Sequence, residues 1–283
     1  MQAQRRIAFI NEKGGSAKTT LVANVAAYLA LRRGRRVLAI DMDPQGQLGK
    51  ALGVETRRAS RSAIDMLLDS VLGEAPRASS AGRAASPLPI SATRVPGLDV
   101  VVANKSLAVF SAWESGVSND ASQRLSGSLA QSQEAQSYDF ILFDAPPSFG
   151  PLTLNVLCAA REVVVPVPLT YLALDGCAEL LRTLSLVRGR YGNADLRISL
   201  VVPTFYRRTR LAHEILDRLK QRFPKEISQS VVGYHVRLDE AQSRGLSIFQ
   251  YAPSDRGARA MAEIAEELEL RGTPPDELEG AAP

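Results

Sequence analysis

The sequence has only two cysteines in 283 residues, and this scarcity indicates the redox environment in which the protein folds. Cys158 and Cys177 both lie in apolar stretches. A chain of this length can bury enough apolar surface to fold without disulfides, so a reducing cytoplasm fits better than a disulfide framework. Neither cysteine lies in a motif that would hold an iron–sulfur cluster, and two buried thiols are the simpler explanation.

The sequence also lacks a long hydrophobic run. No segment reaches the roughly 18 consecutive apolar residues that a membrane-spanning helix needs. No signal-peptide pattern precedes the first strand-like segment. Hydrophobic residues make up 45% and charged residues 23% of the chain, as expected of a soluble globular protein.

Charge is unevenly distributed along the chain. The formal net charge is +4, but residues 203–245 contain nine Lys/Arg against five Asp/Glu, and residues 261–283 contain seven acids against one Arg. A basic stretch of this kind indicates a polyanion as partner. A solvated charged surface is the alternative, and charge alone does not decide between them.

The N-terminal segment has the order strand, glycine-rich loop, helix, strand. Residues 6–10 and 37–40 are predicted buried strands, and residues 19–32 form a predicted helix that ends at Gly34. This βαβ order predicts an α/β fold with a doubly wound, mostly parallel sheet and helices on both faces. Further strands are predicted at 98–102, 140–143, 162–167 and 198–202, and further helices at 123–135, 176–188, 211–223 and 258–270.

Residues 1–272 are interpreted as a single domain. Residues 75–87 are rich in Ala, Ser, Arg and Pro and are predicted to be a flexible insertion within it. Residues 273–283 are acidic and contain proline, and we predict a disordered tail.

The strongest motif lies between the first strand and the first helix. Its glycines allow the backbone to approach phosphates closely, and the helix N-terminus directs free amides at an anion. In this pattern a lysine, here Lys18, contacts the β- and γ-phosphates, and the next threonine, Thr19, holds magnesium through its hydroxyl. A glycine-rich turn without a ligand is the alternative, and the flanking strand and helix argue against it. The predicted ATP-binding loop comprises Lys13, Gly14, Gly15, Ser16, Ala17, Lys18, Thr19 and Thr20.

Three aspartates follow predicted strands near this loop. Asp144 closes one strand, and Asp41 and Asp43 follow another. Acids at the carboxyl ends of strands in an open α/β sheet lie in the ligand crevice, where a magnesium-associated carboxylate is expected. A strand-end turn former is the ordinary explanation for a single Asp, and three of them around one loop favour the site.

Lys13 is a second lysine, five residues before Lys18. It cannot easily fold back onto the same phosphate. It is a candidate to reach the nucleotide of a second subunit and to act on the charge of the transition state. From spacing alone this is a hypothesis.

Together these blocks resemble the ParA/MinD group of deviant Walker-A ATPases. The loop is similar to Lys-Gly-Gly-X-Gly-Lys-Thr-Thr, with Lys13 as the signature lysine, and residues 41–47 resemble Asp-X-Asp-Pro-Gln-Gly-Asn. Residues 138–148 resemble the Walker-B strand of the group. The resemblance covers about residues 5–270 and favours ParA over MinD, and it continues through residues 152–155, 163–166, 171–176 and 236–241.

The resemblance implies a role for each site residue. Lys13 and Asp43 would be catalytic, with Lys13 crossing an ATP-sandwich homodimer and Asp43 near the attacking water. Asp41 and Asp144, with Thr19, would lie at magnesium. Contacts with adenine would fall to Pro203, Thr204 and Pro253.

The resemblance also implies a cycle. Family members bind DNA without sequence preference as the ATP dimer, and a ParB-like or cargo-adaptor protein then stimulates slow ATP hydrolysis and releases them. The cargo would be a chromosome, a plasmid or a protein cluster, and the chain would be cytoplasmic and nucleoid-associated.

Four departures from the family pattern qualify these expectations. Ala17 replaces the loop glycine, which fits if its φ is negative and which implies slow hydrolysis or altered loop geometry. Gln47 replaces the usual Asn. Arg207 directly follows Tyr206, where the family often has an acid. No helix–turn–helix segment precedes the loop, so operator binding is not expected.

Residues 211–223 are the best candidate for a DNA-binding helix. Leu211, Ile215, Leu219 and Phe223 lie four apart and are expected to face the core, with Arg218 and Arg222 along one edge. Few aromatics accompany the charges, which favours contact with the phosphate backbone over base stacking. A solvated charged helix is the alternative. The candidate DNA-binding residues are Arg207, Arg208, Arg210, Arg218, Lys220, Arg222, Lys225, Arg237 and Arg244.

Other functions stay open at this point. A membrane-bound relative would end in a basic amphipathic helix, whereas this sequence ends in acidic residues that anionic lipid would repel, so no membrane partner is expected. A nucleotide switch that acts only through protein contacts is the main alternative to DNA binding. A metabolic ligase of the same fold is a more distant one.

Overall fold

The computed structural model describes residues 3–56, 59–72, 87–113, 119–171 and 173–272. The predicted insertion at residues 75–87, apart from Pro87, and the predicted tail at residues 273–283 lie outside them. The boundary of the single domain therefore stays a prediction. No helix among the described residues is both long enough and apolar enough to cross a membrane.

Eight strands of the described chain form one sheet, which confirms the predicted fold class. Every neighbouring pair is parallel except the pair at one edge, where the third strand runs antiparallel to the fourth. The strands are β1 (Arg5–Phe9), β2 (Val37–Asp41), β3 (Ile90–Ala92), β4 (Leu98–Val101), β5 (Phe140–Asp144), β6 (Glu162–Pro168), β7 (Arg197–Tyr206) and β8 (Val232–Gly233). Their order across the sheet is β3-β4-β2-β5-β1-β6-β7-β8.

Helices cover both faces of the sheet. Successive side chains of a strand point to opposite faces, and in β1 Ala8 packs into one apolar core while Ile7 and Phe9 pack into the other. Central strands are therefore buried on both sides and consist almost entirely of apolar residues. The helices are α1 (Lys18–Arg33), α2 (Gln47–Ala51), α3 (Ala63–Leu72), α4 (Ser106–Trp113), α5 (Asn119–Ser122), α6 (Arg124–Gln131), α7 (Pro151–Ala159), α8 (Ala173–Arg190), α9 (Arg210–Arg222), α10 (Val236–Ser243), α11 (Ile248–Tyr251) and α12 (Arg256–Leu270).

Helices α7, α8 and α9 share one core, and helices α1, α10 and α12 share the core on the opposite face. The nucleotide-binding candidates meet where β1, β2 and β5 end, beside the N-terminus of α1. Gly34 ends α1 as predicted, in a left-handed conformation (φ 63°) that glycine adopts without strain.

The predicted helix at 123–135 is too long. Helix α6 ends at Gln131, and Ala135–Ser137 form a separate 3₁₀ turn. Ser132 is extended at the break, and its Oγ accepts a hydrogen bond from the Ala135 amide at 3.1 Å. Such local side-chain bonds offer the backbone an alternative to the helix.

The expectation that Leu211 faces the core is wrong. Its side chain is 46% exposed, whereas Ala212, Ile215, Leu219 and Phe223 are buried. At 3.6 residues per turn, Leu211 lies roughly 80° around the helix from Leu219, and Ala212 only about 20°. Each four-residue step turns about 40° around the helix, so residues spaced strictly four apart do not stay on one apolar face.

Candidate nucleotide-binding site

The predicted phosphate-binding loop joins β1 to α1. Gly15 has φ +68°, which glycine adopts without strain, and a Cβ added at Gly14 or Gly15 would meet nothing within 4 Å. The Ser16 side chain is buried, and its Oγ has no hydrogen-bond partner among the described residues. An unpaired buried hydroxyl and open space beside two glycines fit a loop built to receive a polar ligand.

Lys18 reaches from the first turn of α1 back to the start of the loop. Its Nζ donates to the Asn11 carbonyl at 3.0 Å and lies 3.5 Å from the Lys13 carbonyl oxygen. Burial lowers the pKa of Lys18, and the charges of Asp144 and Asp43 act in the opposite direction. A cation that rests on neutral carbonyls inside the loop is placed to neutralise a phosphate.

Ala17 does not meet the condition set by the sequence analysis. Its φ is +71° and its ψ is 22°, in the left-handed region, whereas alanine fits without strain only at a negative φ. An L-residue there places Cβ too close to the following carbonyl oxygen, at about 1–2 kcal/mol. The loop therefore keeps the conformation that suits glycine, and Ala17 holds it under strain.

Asp41 and Asp144 end neighbouring strands and pair with each other in the β2–β5 register. Thr19 Oγ1 donates to Asp144 Oδ2 at 2.7 Å, and Asp144 Oδ1 has no hydrogen-bond partner among the described residues. Burial raises the pKa of Asp144 to about 7. Burial and the charge of Asp144 both raise the pKa of Asp41.

The two carboxylates are used differently. Asp41 accepts hydrogen bonds from the Asp43 amide at 3.1 Å and the Leu48 amide at 3.0 Å, so both its oxygens hold the chain after β2. Asp144 has an oxygen left for a ligand. Magnesium binds hard oxygen ligands, typically one or two carboxylates with substrate phosphates, and Thr19 with Asp144 fits that set.

Asp43 lies half-buried in the turn after β2. Its Oδ1 accepts from the Gln45 amide at 2.9 Å. Gly46 completes the turn at φ +60°, and a Cβ there would lie 2.6 Å from the Ala103 carbonyl oxygen. Only glycine fits, so the turn that carries Asp43 is fixed in shape.

Lys13 points to a different partner from Lys18. Its Nζ donates to Thr170 Oγ1 at 3.0 Å, in the loop after β6, and its side chain is exposed. Asn11 holds the backbone at this point, because its Oδ1 accepts from the Lys13 amide at 2.7 Å. Sequence reasoning missed both Asn11 and Thr170.

The predicted adenine contacts divide into two sets. Pro203 and Thr204 are buried in β7, and Thr204 Oγ1 donates to the Ser16 carbonyl at 3.3 Å, which links β7 to the loop. Pro253 is exposed between α11 and α12. Phe205 has φ +54°, an outlier for a bulky residue, where the β7–β8 register shifts.

The candidate DNA-binding residues are all exposed but do not lie on one face of the sheet. Helix α9 packs through Ala212, Ile215 and Leu219 into one core, and α10 packs through Leu238 and Ala241 into the other. The basic residues of α9 are therefore separated by the sheet from Arg237 in α10 and from Arg244 directly after it.

Several of these basic residues also have partners. Arg210 pairs with Glu214 at 2.9 Å and Arg237 with Glu240 at 2.7 Å. The guanidinium groups of Arg207 and Arg244 lie 5.6 and 5.3 Å from the ring centres of Tyr234 and Tyr251. By contrast, Arg218 and Arg222 line an open groove of about 260 Å³ with Leu174, Cys177 and Ala178.

The doubly wound sheet and a phosphate-binding loop between its first strand and first helix define a P-loop nucleoside triphosphatase. A family model described as an AAA domain matches residues 4–198. The chain is 40% identical over 271 residues to the chromosome-partitioning ATPase Soj of Thermus thermophilus, covering 94% of this chain and 96% of that protein. It is 36% identical over 268 residues to the sporulation initiation inhibitor protein Soj of Bacillus subtilis, covering 94% and 98%.

The chain belongs to the Soj/ParA family of ParA/MinD-type ATPases, and it is an ATPase. Its structure is also similar to that of cobyrinic acid a,c-diamide synthase from Mycobacterium smegmatis with bound ADP and magnesium. The TM-score is 0.72 at 30% identity, over 93% of each chain. The family resemblance in the sequence is thus confirmed.

Proposed function

We propose that this ATPase is a dimerising switch that binds DNA non-specifically in its ATP state and hydrolyses ATP to partition or position a cargo. The observation that carries the proposal is the pairing of Thr19 with Asp144 beside Lys18, in a chain 40% identical to a chromosome-partitioning ATPase. The cargo would be a chromosome, a plasmid or a protein cluster.

The loop residues would hold ATP through backbone amides and Lys18. Thr19 and Asp144 would hold magnesium, with Asp41 beside them, and the ion would neutralise charge on the phosphates. Asp43, fixed by its turn, would orient the attacking water. Pro203 and Thr204, with Pro253, would contact adenine.

Lys13 would complete the site of a second subunit. In the single chain its ammonium group rests on Thr170 at an exposed position, so it can move without breaking a buried contact. Supplied across a homodimer interface, it would stabilise charge that develops on the transferred phosphoryl group.

Substitution of the two lysines separates these roles. Lys18→Ala is expected to abolish ATP binding, because it removes the cation held inside the loop. Lys13→Ala is expected to bind ATP like the wild type but to stay monomeric. Calorimetry and light scattering measure the two properties, and ATP-dependent dimers of the Lys13 variant would contradict the trans role.

DNA binding would use the exposed arginines of α9, at phosphates rather than bases. The chain would be cytoplasmic and nucleoid-associated, with slow hydrolysis until a ParB-like or cargo-adaptor protein stimulates it. Binding to random-sequence DNA at low salt should be strong with ATP, weak with ADP and lost as salt rises. A complete lack of DNA affinity in the ATP state would falsify this part of the proposal.

A switch that acts only through protein contacts is the second candidate. It is favoured by the division of the basic residues between two faces of the sheet and by the engagement of Arg210 and Arg237 with carboxylates. This candidate predicts ATP-dependent dimers whose formation is indifferent to DNA.

An ATP-dependent amide ligase is a third candidate, because the chain is 30% identical to a diamide synthase. Its distinguishing property would be ATP turnover that requires a small carboxylate acceptor and an amide donor. Turnover that proceeds in buffer and rises with DNA and a partner protein would exclude it.

A further inference from the structure

Gln242 connects α10 to the last residue of the phosphate-binding loop. Its Nε2 donates to Thr20 Oγ1 at 3.1 Å, although the two residues are 222 positions apart. In a second, longer contact the Thr20 hydroxyl donates to Gln242 Oε1 at 3.4 Å, at the outer limit of a hydrogen bond, so the 3.1 Å bond is the stronger of the two. Both side chains are half-buried.

Thr20 is held from a second side as well. Asn24, one turn further along α1, donates from Nδ2 to the Thr20 carbonyl at 2.8 Å, and its Oδ1 accepts from the Ile248 amide at 2.8 Å. Residues one turn apart lie on the same face of a helix. The chain from Gln242 to Ile248 is therefore fixed to α1 at both ends.

Close backbone packing limits movement of this segment. Gly245 has φ +63°, and a Cβ there would lie 2.5 Å from the Gly53 Cα. The backbone segments at Gly53 and Gly245 therefore approach each other more closely than any side chain larger than hydrogen would permit. Gln242 is presented to Thr20 by a rigid support rather than by a mobile loop.

Thr20 lies where a nucleotide phosphate would bind. Helix α1 starts at Lys18, and its first bond runs from the Leu21 amide to the Ala17 carbonyl at 3.0 Å. The preceding amides, including that of Thr20, lack intrahelical acceptors and are free for an anion. A hydroxyl has one proton and two lone pairs. When the Gln242 amide donates to the oxygen, the Thr20 proton is available to donate to phosphate.

We infer that Gln242 is a positioning residue of the nucleotide site, which fixes the Thr20 hydroxyl as a donor to a phosphate oxygen of ADP or ATP. The inference rests on the proposed placement of ATP in the loop. It adds α10, outside the loop motif, to the structure that shapes the site. Gln242 acts through Thr20 and needs no contact of its own with the nucleotide.

Gln242→Leu tests the role, because leucine nearly preserves the volume and cannot hydrogen-bond. The dissociation constant of ADP with magnesium is expected to rise about threefold to tenfold, as for loss of one hydrogen bond. KM for ATP should rise in parallel, with kcat nearly unchanged. The melting temperature of the nucleotide-free protein should stay within about 2 °C. Ser243→Ala, the exposed neighbour on α10, should bind ADP like the wild type.

A double-mutant cycle separates positioning from general loosening of the fold. Thr20→Val removes the hydroxyl, so adding Gln242→Leu to it should weaken ADP binding no further. Additive effects, or a Gln242→Leu variant with wild-type affinity, would overturn the inference. If Lys18→Ala still binds ADP, the proposed site itself is misplaced. If Lys18→Ala loses ADP and Gln242→Leu does not weaken it, only the role of Gln242 fails.

Discussion

At the residue scale, Ala17 offers the sharpest prediction. Ala17→Gly is expected to raise the free energy of unfolding by about 1 kcal/mol, because glycine tolerates the left-handed conformation that strains alanine. Thermal unfolding of the nucleotide-free protein measures it. Ala27→Gly, in the middle of α1, is the matched control and should destabilise by about 1 kcal/mol. If Ala17→Gly lowers the free energy of unfolding as Ala27→Gly does, Ala17 is not strained.

Asp144 makes the stability of the metal- and nucleotide-free protein depend on pH. Burial raises the pKa of Asp144 to about 7, while the ordinary value in an unfolded chain is about 4. Between these values the folded protein keeps a proton that the unfolded chain has lost, so stability falls as pH rises from about 4 to 7 and levels off above. The raised pKa of Asp41 acts in the same direction.

Melting temperatures at pH 5, 6, 7 and 8 in the presence of a chelator measure this dependence. Asp144→Asn should flatten the curve and raise the melting temperature at pH 8, since a neutral amide replaces a buried charge. Asp195→Asn, at an exposed turn, should keep the wild-type slope. A wild-type slope in the Asp144→Asn variant would assign the dependence to other groups.

At the scale of elements, α12 is held against α1 and β1 by charged groups. Glu269 is 5% exposed and accepts from Arg33 at 2.6 Å and from Arg35 at 2.8 Å. Arg5 donates to the carbonyls of Leu268 and Glu269. Arginine side chains therefore bind the last turn of α12, and their positive charge is also favourable at the negative C-terminal end of the helix dipole.

Glu269→Ala is expected to lower the free energy of unfolding by about 1–3 kcal/mol, because two charge-assisted hydrogen bonds are lost. Urea unfolding measures it. Glu263→Ala, on the exposed side of α12, should change stability by less than about 0.5 kcal/mol. Equal effects of the two substitutions would show that the contacts with Arg33 and Arg35 contribute nothing.

The sequence predicted the long helices α1, α8, α9 and α12 and six of the eight described strands, and it missed most of the helices of four to ten residues and the two shortest strands, β3 and β8. Helices α1, α9 and α12 carry clear apolar periodicity, so their existence followed from pattern. The four-residue α11 and two-residue β8 are too short for periodicity. Helix α11 depends on a Ser247–Gln250 capping box and on Asn24, which tertiary structure brings to it.

In the candidate site as well, features with a local sequence pattern were predicted and contacts between distant residues were not. The loop was predictable because its residues are consecutive in the sequence, and the three aspartates were predictable because each ends or closely follows an apolar strand. The contacts of Lys13 with Thr170, of Thr204 with Ser16 and of Gln242 with Thr20 span 157, 188 and 222 residues. No local pattern encodes such pairs, because the sheet order brings them together.

At the scale of the whole molecule, the sheet separates two basic surfaces, so substitutions on each surface test which one carries the proposed DNA binding. Arg218, Lys220 and Arg222 of α9 are exposed and form no ion pair with other described residues. On α10, Arg237 is paired with Glu240, and Arg244 lies over Tyr251. Free cations release more counterions from DNA than paired ones do.

Replacement of Arg218, Lys220 and Arg222 by Ala should therefore weaken binding of the ATP form to random DNA and reduce the slope of log K against log salt by about 2–3. The Arg237→Ala/Arg244→Ala variant is the matched control on the opposite face and should reduce the slope by less than about 1. Both variants should bind ADP and dimerise with ATP like the wild type, since neither touches the loop. If the α10 variant loses more affinity than the α9 variant, DNA lies on the α10 face. Equal losses would mean that DNA contacts both faces of the sheet.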